Sequence, residues 1–390
     1  ADINVLTKIN YAHGKSVDGH TPGITGKNLS AYIAAGIHSD HESVSLDEAK
    51  DKLRQGMYVM IREGSSEKNL DALLALVTDK TYKRCIFVVD DRSCVDLLRD
   101  GDIDAILRKA INKGLDPVRA IQMATINNAE YFRLDKLGAI APGYIANLVT
   151  FNDFTSLQMD MVFYKGRLVA KQGQPLFSLG KSNQGELTNT VNIKPFSIET
   201  LRIPASGEKQ QPIIELIPGQ IITKKKIAKL KVSDGIVISD IDRDILKLVV
   251  MERHNATGNI GLGLVHGFGL KKGALAASIT HDSHNIIAIG TNDIDIFAAI
   301  KEIERLQGGL VVTNKGKVLA ALELSVCGLM SDESLEIVVS KLENLQRIAK
   351  DLGTTLLSPF ATLSFLALPV IPEIRLTDLG MVDVNEFKLI

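Results

Sequence analysis

The sequence predicts an α/β protein that joins a segment of a (β/α) barrel to a small β appendage and a separate α+β domain. Three observations carry that prediction. In residues 1–137, strand-like and helix-like runs alternate at a period of about 20–27 residues, which implies a parallel sheet. Each predicted strand there ends in a titratable side chain: His20, His41, Glu63 or Asp90. Such groups at strand C-terminal ends converge on one face of a barrel. Beyond residue 137 the alternation stops and gives way to turn-rich β segments and then mixed strands and helices. A doubly wound sheet is the other solution for the first part. No glycine-rich phosphate loop follows the first strand, which counts against it.

The elements follow in order. Residues 16–20 lead into a stretch with Leu29, Tyr32 and Ile33 apolar, closed by Gly36. Ser45 and Glu48 form a capping box, Leu46, Ala49 and Leu53 make the apolar stripe, and Gly56 stops the helix. Residues 57–61 are the next strand, and a helical run over Leu70, Leu73, Leu74 and Val77 follows. Residues 85–89 are continuously apolar, as a strand buried on both faces should be. Ile103, Ile106, Leu107, Ala110 and Ile111 mark a helix ended by Gly114. Asp116 caps the next helix, with Pro117 at its first position. Residues 138–175 form the β appendage, with a hairpin over 161–169 turning at Lys165-Gly166. Residues 176–215 are rich in Gly, Ser, Asn, Gln and Pro and read as a connecting segment with some strand character. In the second globular domain, 216–390, Leu246, Leu248, Val249, Val250 and Met251 predict a helix. Residues 275–279 and 286–289 predict strands, 293–306 a helix, 310–319 a hairpin, and 333–352 a further helix.

Composition narrows the partners. Lys plus Arg is 45 and Asp plus Glu is 46, so the formal net charge is −1. That balance favours neither nucleic acid nor an anionic membrane. The apolar share of 45% is enough to build real cores. No run of about 18 apolar residues is present to span a bilayer. Cys85, Cys94 and Cys327 are too few and scattered for a disulfide framework and read as reduced thiols of a cytoplasmic protein. The start, Ala1-Asp2-Ile3-Asn4, has no basic or apolar leader pattern and no initiator Met, so the chain is expected to begin inside something larger.

The chemistry-bearing constellation is His20, His41 and Asp90. Neutral imidazoles and a carboxylate suit a divalent first-row ion such as Zn, Mn or Fe. Such an ion acidifies bound water, and a neighbouring carboxylate can accept and pass on its proton. The bland alternative for a lone His is a single hydrogen bond at a helix end or in a core. Three such groups at successive strand ends argue against it.

The motifs are specific. Val17-Asp18-Gly19-His20-Thr21-Pro22-Gly23, Ser39-Asp40-His41-Glu42, Arg62-Glu63-Gly64-Ser65 and Asp90-Asp91-Arg92 occur in that order. Met123-Ala124-Thr125-Ile126-Asn127 and Gly138-Ala139-Ile140-Ala141-Pro142-Gly143-Tyr144 follow. His281-Asp282-Ser283-His284-Asn285 and Thr362-Leu363-Ser364-Phe365-Leu366-Ala367-Leu368-Pro369 complete the set. Over nearly its whole length the chain resembles the microbial adenine deaminases of the amidohydrolase superfamily. That family's barrel centre uses a His-x-His pair on the first strand, a carboxylate on the fourth, His on the fifth and sixth, and Asp on the eighth.

The resemblance implies that His20 is the fifth-strand ligand, His41 the sixth-strand ligand, and Asp90 the eighth-strand ligand and proton shuttle. It implies two divalent ions (Mn, Fe or Zn) and hydrolytic deamination of adenine to hypoxanthine and ammonia in purine salvage. Metal-bound hydroxide would attack C6, with Asp90 as base and then acid. It further implies a cytoplasmic homo-oligomer with adenine as its small-molecule partner. A cyclic-amide hydrolase of the same superfamily and an inactive binding protein are the alternatives. The departure is large: no His-x-His strand precedes His20, His13 has neither the spacing nor the strand context, and no fourth-strand carboxylate is present. Only four βα units of eight are present, so 1–137 is expected to be the C-terminal half of a (β/α)8 barrel from a longer enzyme. Residues 216–390 would be the adenine-deaminase-type C-terminal domain.

Secondary candidates have two readings each. Glu42 and Glu63 are either acceptors for a purine ring at the barrel mouth or salt-bridge partners of Arg62 or Arg92. Arg92 is itself a substrate-binding candidate, and Asp91 is either the eighth-strand ligand in place of Asp90 or a carboxylate holding Arg92 or a backbone amide. His281 and His284 are substrate contacts at the mouth or parts of a structural turn. In a strand, 282 and 284 would share a face while 281 points away. The glycines of 258–273 lack the Lys-Ser or Lys-Thr of a phosphate loop and read as turns and close packing. Lys224-Lys225-Lys226 reads as a solvated face.

Overall fold

The computed structural model describes residues 3–12, 14–65, 67–178, 185, 187–207, 210–217 and 220–390. His13 and part of the expected connecting segment lie outside them. The chain divides into two compact units, Ala1–Lys181 and Ser182–Ile390.

The first unit opens with α1 (Ile3–Tyr11) and then alternates β1 (Asp18–Gly19), α2 (Gly26–Ala34), β2 (Ser39–Asp40), α3 (Leu46–Arg54), β3 (Tyr58–Arg62), α4 (Leu70–Leu73) and β4 (Cys85–Val88). The four strands pair in sequence order and all in parallel. Their C-terminal ends therefore share one edge, as the titratable strand ends led us to expect. Helices α5 (Cys94–Asp100), α6 (Ile103–Asn112), α7 (Pro117–Ala124) and α8 (Ile126–Tyr131) follow. Val59, Ile61, Cys85 and Phe87 from the strands pack on Ala49, Leu70, Leu73, Ile106, Ala110, Ala120 and Met123 from the helices. Each fully buried Leu or Ile contributes about 1.5–3 kcal/mol.

The expected caps form. Ser45 Oγ accepts from the Glu48 amide at 3.4 Å, and the Asp116 carboxylate accepts from the Arg119 amide at 2.9 Å. The Glu48 side chain reaches the Gly23 amide at 2.9 Å, so it joins two loops where a complete capping box was expected. The run from Leu70 is shorter than expected: α4 is four residues and continues as a single 3-10 turn over Leu74–Leu76. Helices α1, α5 and α8 were not anticipated.

The appendage is a four-stranded antiparallel meander of β5 (Leu148–Phe151), β6 (Met159–Tyr164), β7 (Arg167–Lys171) and β8 (Gln174–Pro175). Its expected hairpin turns at Lys165-Gly166, both with positive φ (51° and 79°). That is what a two-residue turn matching the strand twist requires.

The second unit holds β9 (Ile203–Pro204), β10 (Gln211–Leu216), β11 (Thr223–Ala228), β12 (Lys231–Ser233), β13 (Ile236–Ile238), β14 (Ile245–Met251), β15 (Ile260–His266), β16 (Ala274–Ala277) and β17 (Ile286–Gly290). It continues with α9 (Asp293–Leu306), β18 (Gly309–Asn314), β19 (Lys317–Glu323), α10 (Leu335–Asp351), α11 (Pro359–Phe365), β20 (Ile374–Thr377), β21 (Gly380–Asp383) and β22 (Lys388–Leu389). Eight strands form one sheet in the order β11-β10-β15-β14-β17-β16-β18-β19. The helix expected over 246–251 is a strand, the fully buried β14. An unbroken apolar run fits a two-sided buried strand as well as a buried helix, and its β-branched content and seven-residue length decide for the strand. Strand β10 crosses the expected boundary at 215/216 and belongs to this sheet. The glycine-rich stretch is close packing: a Cβ at Gly261 would lie 1.8 Å from the Thr377 carbonyl oxygen. Within 224–226, Lys224 is exposed, while Lys225 pairs with Asp383 and Lys226 with Glu215.

Candidate metal centre at the strand ends

His20 follows β1 directly and His41 follows β2 directly, so parallel pairing sets them side by side. Their rings meet edge to face with centroids 4.6 Å apart. Gly19 is needed at the end of β1 because a Cβ there would lie 2.1 Å from Tyr32 Oη. Glu42 completes a cluster: one ligand atom from each of His20, His41 and Glu42 lies within 4.8 Å of the others. Glu42 Oε1 is 3.3 Å from His20 Nδ1 and 3.6 Å from His41 Nε2. Among the described residues this is the group of His, Cys, Asp and Glu close enough to share an ion.

The other nitrogen of His41 is already committed. Nδ1 is 2.9 Å from Asp18 Oδ2, which fixes the ring and leaves Nε2 toward Glu42. A carboxylate behind a ligating imidazole is the usual outer support of a metal site. The Asp18 hydrogen bond holds the His41 pKa above its ordinary value, against burial that pulls it down. Burial pushes the Asp18 carboxyl up, but hydrogen bonds from His41 and Ser39 outweigh it and the net shift is downward.

Asp90 stands two residues past β4 in a left-handed conformation (φ 56°), tolerated by Asp. Its Oδ2 accepts from Arg62 Nη1 at 2.7 Å, and the same nitrogen is 3.3 Å from Glu42 Oε1. One buried guanidinium thus links Asp90 to the His/Glu cluster. Burial lowers the Arg62 pKa, but Asp90 and Glu42 more than compensate, so it stays cationic. The sequence-derived trio is therefore only partly brought together: His20 and His41 cluster with Glu42, and Asp90 reaches them through Arg62.

Glu63 does not pair with Arg62 or Arg92 as its salt-bridge reading supposed. Its oxygens accept from Lys109 Nζ at 2.6 Å and from the Leu70 amide at 3.1 Å. Arg92 Nε donates to the Gly101 carbonyl at 3.0 Å. Asp91 Oδ1 packs on Gly64, where a Cβ would lie 1.5 Å from it.

His281 and His284 belong to the second unit and sit in a turn between β16 and β17, so the strand-face argument does not apply. The His281 ring stacks on Phe365 at 4.6 Å, and its Nδ1 is 3.2 Å from Asp282 Oδ1. Burial, and then the nearby Arg253, hold the His284 pKa below its ordinary value.

Sequence reasoning gave Asp18 no role and missed Asp40 and Lys52. Asp40 is fully buried and accepts from Lys52 Nζ at 2.8 Å, Thr21 Oγ1 at 2.7 Å and Ser43 Oγ at 2.9 Å. Burial pushes its carboxyl up, yet Lys52 and Thr21 bring it below the ordinary value. The demand of a ligating His for an acceptor behind it was the signal for Asp18. Nothing in the sequence marks Lys52 as buried, since Glu48–Lys52 reads as an ordinary surface pair.

The mixed imidazole and carboxylate donors, with one imidazole pre-oriented, fit a divalent transition ion. Comparison with known proteins agrees with this chemistry. Residues 5–169 match the model of the amidohydrolase family, and residues 220–388 match that of the adenine deaminase C-terminal domain. An adenine deaminase of Dehalococcoides mccartyi is 61% identical over 387 residues, which is 99% of this chain and 68% of that protein. Adenine deaminase 2 of Carboxydothermus hydrogenoformans is 48% identical over the same shares. The adenine deaminase of Halalkalibacterium halodurans is 46% identical over all of this chain and 67% of its own. Among solved structures, a β-aspartyl dipeptidase from Fervidobacterium islandicum superposes with a TM-score of 0.36 at 18% identity, over 46% of this chain and 53% of that one, too loosely to bear on function. The close match to these relatives, over nearly all of this chain and about two thirds of their own length, places this chain in the adenine deaminase family.

Proposed function

We propose that the chain serves the hydrolytic deamination of adenine to hypoxanthine and ammonia. The observation that carries the metal-dependent hydrolysis is the His20/His41/Glu42 cluster at the ends of adjacent parallel strands, with Asp90 tied to it through Arg62, and the match to adenine deaminases supplies the substrate. In this reading the first unit is the C-terminal half of a (β/α)8 barrel (1–137) with its β appendage (138–175). Residues 176–210 lead into the C-terminal domain, whose sheet takes in Gln211–Leu216 and which continues to residue 390.

His20, His41 and Glu42 would hold the ion, and Asp90, tied to them through Arg62, would be the further carboxylate. A bound divalent ion of Mn, Fe or Zn lowers the pKa of its water, so that hydroxide is available near neutral pH. Asp18 keeps His41 in the tautomer with Nε2 free. Arg62 occupies Asp90 Oδ2, which leaves Oδ1 to take a proton from the attacking water and return it to the departing amine at C6. Glu42 is also placed to accept from a purine ring nitrogen.

The test is ammonia release by the full-length polypeptide loaded with Mn²⁺. Adenine is expected to be turned over, and hydantoin and dihydroorotate are not. Turnover of a cyclic amide with none of adenine would replace this reading by a cyclic-amide hydrolase.

A further inference from the structure

Asp40 ends β2, between the strand that delivers His20 and the loop that carries His41 and Glu42. Its carboxylate collects five donors. Oδ1 accepts from the Thr21 amide at 2.9 Å and Thr21 Oγ1 at 2.7 Å. Oδ2 accepts from the Glu42 amide at 3.1 Å, Ser43 Oγ at 2.9 Å and Lys52 Nζ at 2.8 Å. Thr21 is the residue after His20, and Glu42 the residue after His41, so one carboxylate fixes the backbone beside both imidazoles. Lys52 closes the arrangement from α3, with Nζ donating to the Thr21 carbonyl at 2.8 Å and Glu48 Oε1 at 2.7 Å. Glu48 in turn accepts from the Gly23 amide. Thr21, Asp40, Ser43 and Lys52 are all fully buried.

An ion pair shut away from water costs several kcal/mol of desolvation per charge, and an apolar replacement is often no less stable. Stability alone is therefore a poor account of a lysine and an aspartate at this depth. Position is a better one, because every arm of the network ends on the two loops that present the histidines. A metal site tolerates little error in ligand placement, and loss of an outer support typically weakens metal binding by about 10–100-fold.

We propose that Asp40 and Lys52 are positioning residues: a buried clamp that sets the spacing of His20 against His41 and Glu42. The proposal rests on the metal-dependent reading of the site, and its test separates the two. Asp40→Asn and Thr21→Val are made in the full chain, with Thr21→Ser as the conservative rescue and Ile106→Val as a core control in the same unit. Two readouts are taken: Mn²⁺ affinity by electron paramagnetic resonance titration, and the metal-free ¹H–¹⁵N ring signals of His20 and His41. Asp40→Asn is expected to weaken Mn²⁺ about 10-fold or more. Thr21→Val should weaken it several-fold and shift both ring signals, with Thr21→Ser restoring them and the His254 and His266 signals unmoved. Ile106→Val should lower the unfolding midpoint without touching either readout.

If Asp40→Asn does not fold, Thr21→Val decides, since it loses a single hydroxyl bond. Ring signals unchanged in Thr21→Val overturn the clamp, as does an unchanged Mn²⁺ affinity with shifted rings. A wild-type chain that binds no Mn²⁺ overturns the deamination reading, and the ring signals alone then support or overturn the clamp.

Discussion

In the first unit a fully buried lysine is met by carboxylates, whereas in the second two fully buried arginines are met by backbone carbonyls. Lys52 lies against Asp40 and Glu48. Arg253 donates to the carbonyls of His284, Thr190 and Cys327, and Arg375 to those of Ile371, Ile221 and Pro372. A carbonyl offers only a partial charge, so burial pushes Arg375 down to about 10, and Arg253 is lowered for the same reason. The chemical consequences differ. The first unit places its buried Lys52 and Asp40 behind the loops that hold the exposed His20 and the half-buried His41. In the second, Lys247 also meets a carboxylate, Asp293, but the two arginines tie irregular segments together, as where a Cβ at Gly328 would lie 2.6 Å from Arg253 Nη1. The candidate site thus sits at the strand ends of the first unit, and the two buried arginines of the second serve its scaffold.

The largest effect expected is on catalysis. Asp90→Asn should lower kcat for adenine by at least about 100-fold, the usual reach of a proton-transfer group. His281→Ala, in the second unit, where the ring stacks on Phe365, should leave kcat near that of the wild type. Steady-state kinetics on the Mn²⁺-loaded full-length protein read both, and a collapse of kcat in His281→Ala with Asp90→Asn near normal would invert the comparison.

Next comes stability. Lys52→Met strands two buried carboxylates and should cost about 3–5 kcal/mol. Arg253→Met strands neutral carbonyls and should cost less, about 1–3 kcal/mol. Urea unfolding measures both, and a larger loss for Arg253→Met would break the contrast.

A smaller effect is expected with acid. Burial pushes Glu252 up, but backbone amides of Thr257, Asn255 and His254 outweigh it, so its folded pKa lies below the ordinary 4.5. The unfolded chain then binds the proton at higher pH than the folded one. The stabilisation is present above 4.5 and is lost as pH falls through the folded value. Glu252→Gln should flatten that acid slope in melting curves, and an unchanged slope would remove Glu252 from the account.

The smallest is a matter of labelling. Burial pushes the Cys85 thiol up to about 12, so it holds almost no thiolate at mild pH. Iodoacetamide should modify the half-buried Cys94 and Cys327 of the native chain well before Cys85.

Much of the first unit was legible because its signals are local. Asp116-Pro117, Ser45 with its apolar stripe, and Lys165-Gly166 act within a few residues, and parallel pairing then sets the strand-end histidines together without further information. The strand at 245–251 was misread because an apolar run carries no period when both of its faces are buried. The site was harder. His20 and His41 show as residue types at strand ends, but Arg62 bridging Glu42 and Asp90, and Lys52 reaching Asp40, depend on which side chains the fold encloses. A charge on a helix reads as solvated until the packing around it is known. The resemblance supplied adenine, which residue chemistry alone does not specify.

The central claim is that His20, His41 and Glu42 hold a divalent ion. Equilibrium dialysis against Mn²⁺, followed by metal analysis of wild type and of a variant carrying His20→Ala and His41→Ala, tests it most directly. The account predicts Mn²⁺ retained by the wild type and lost from the variant, with both chains still unfolding cooperatively. Equal Mn²⁺ in the two proteins would contradict it.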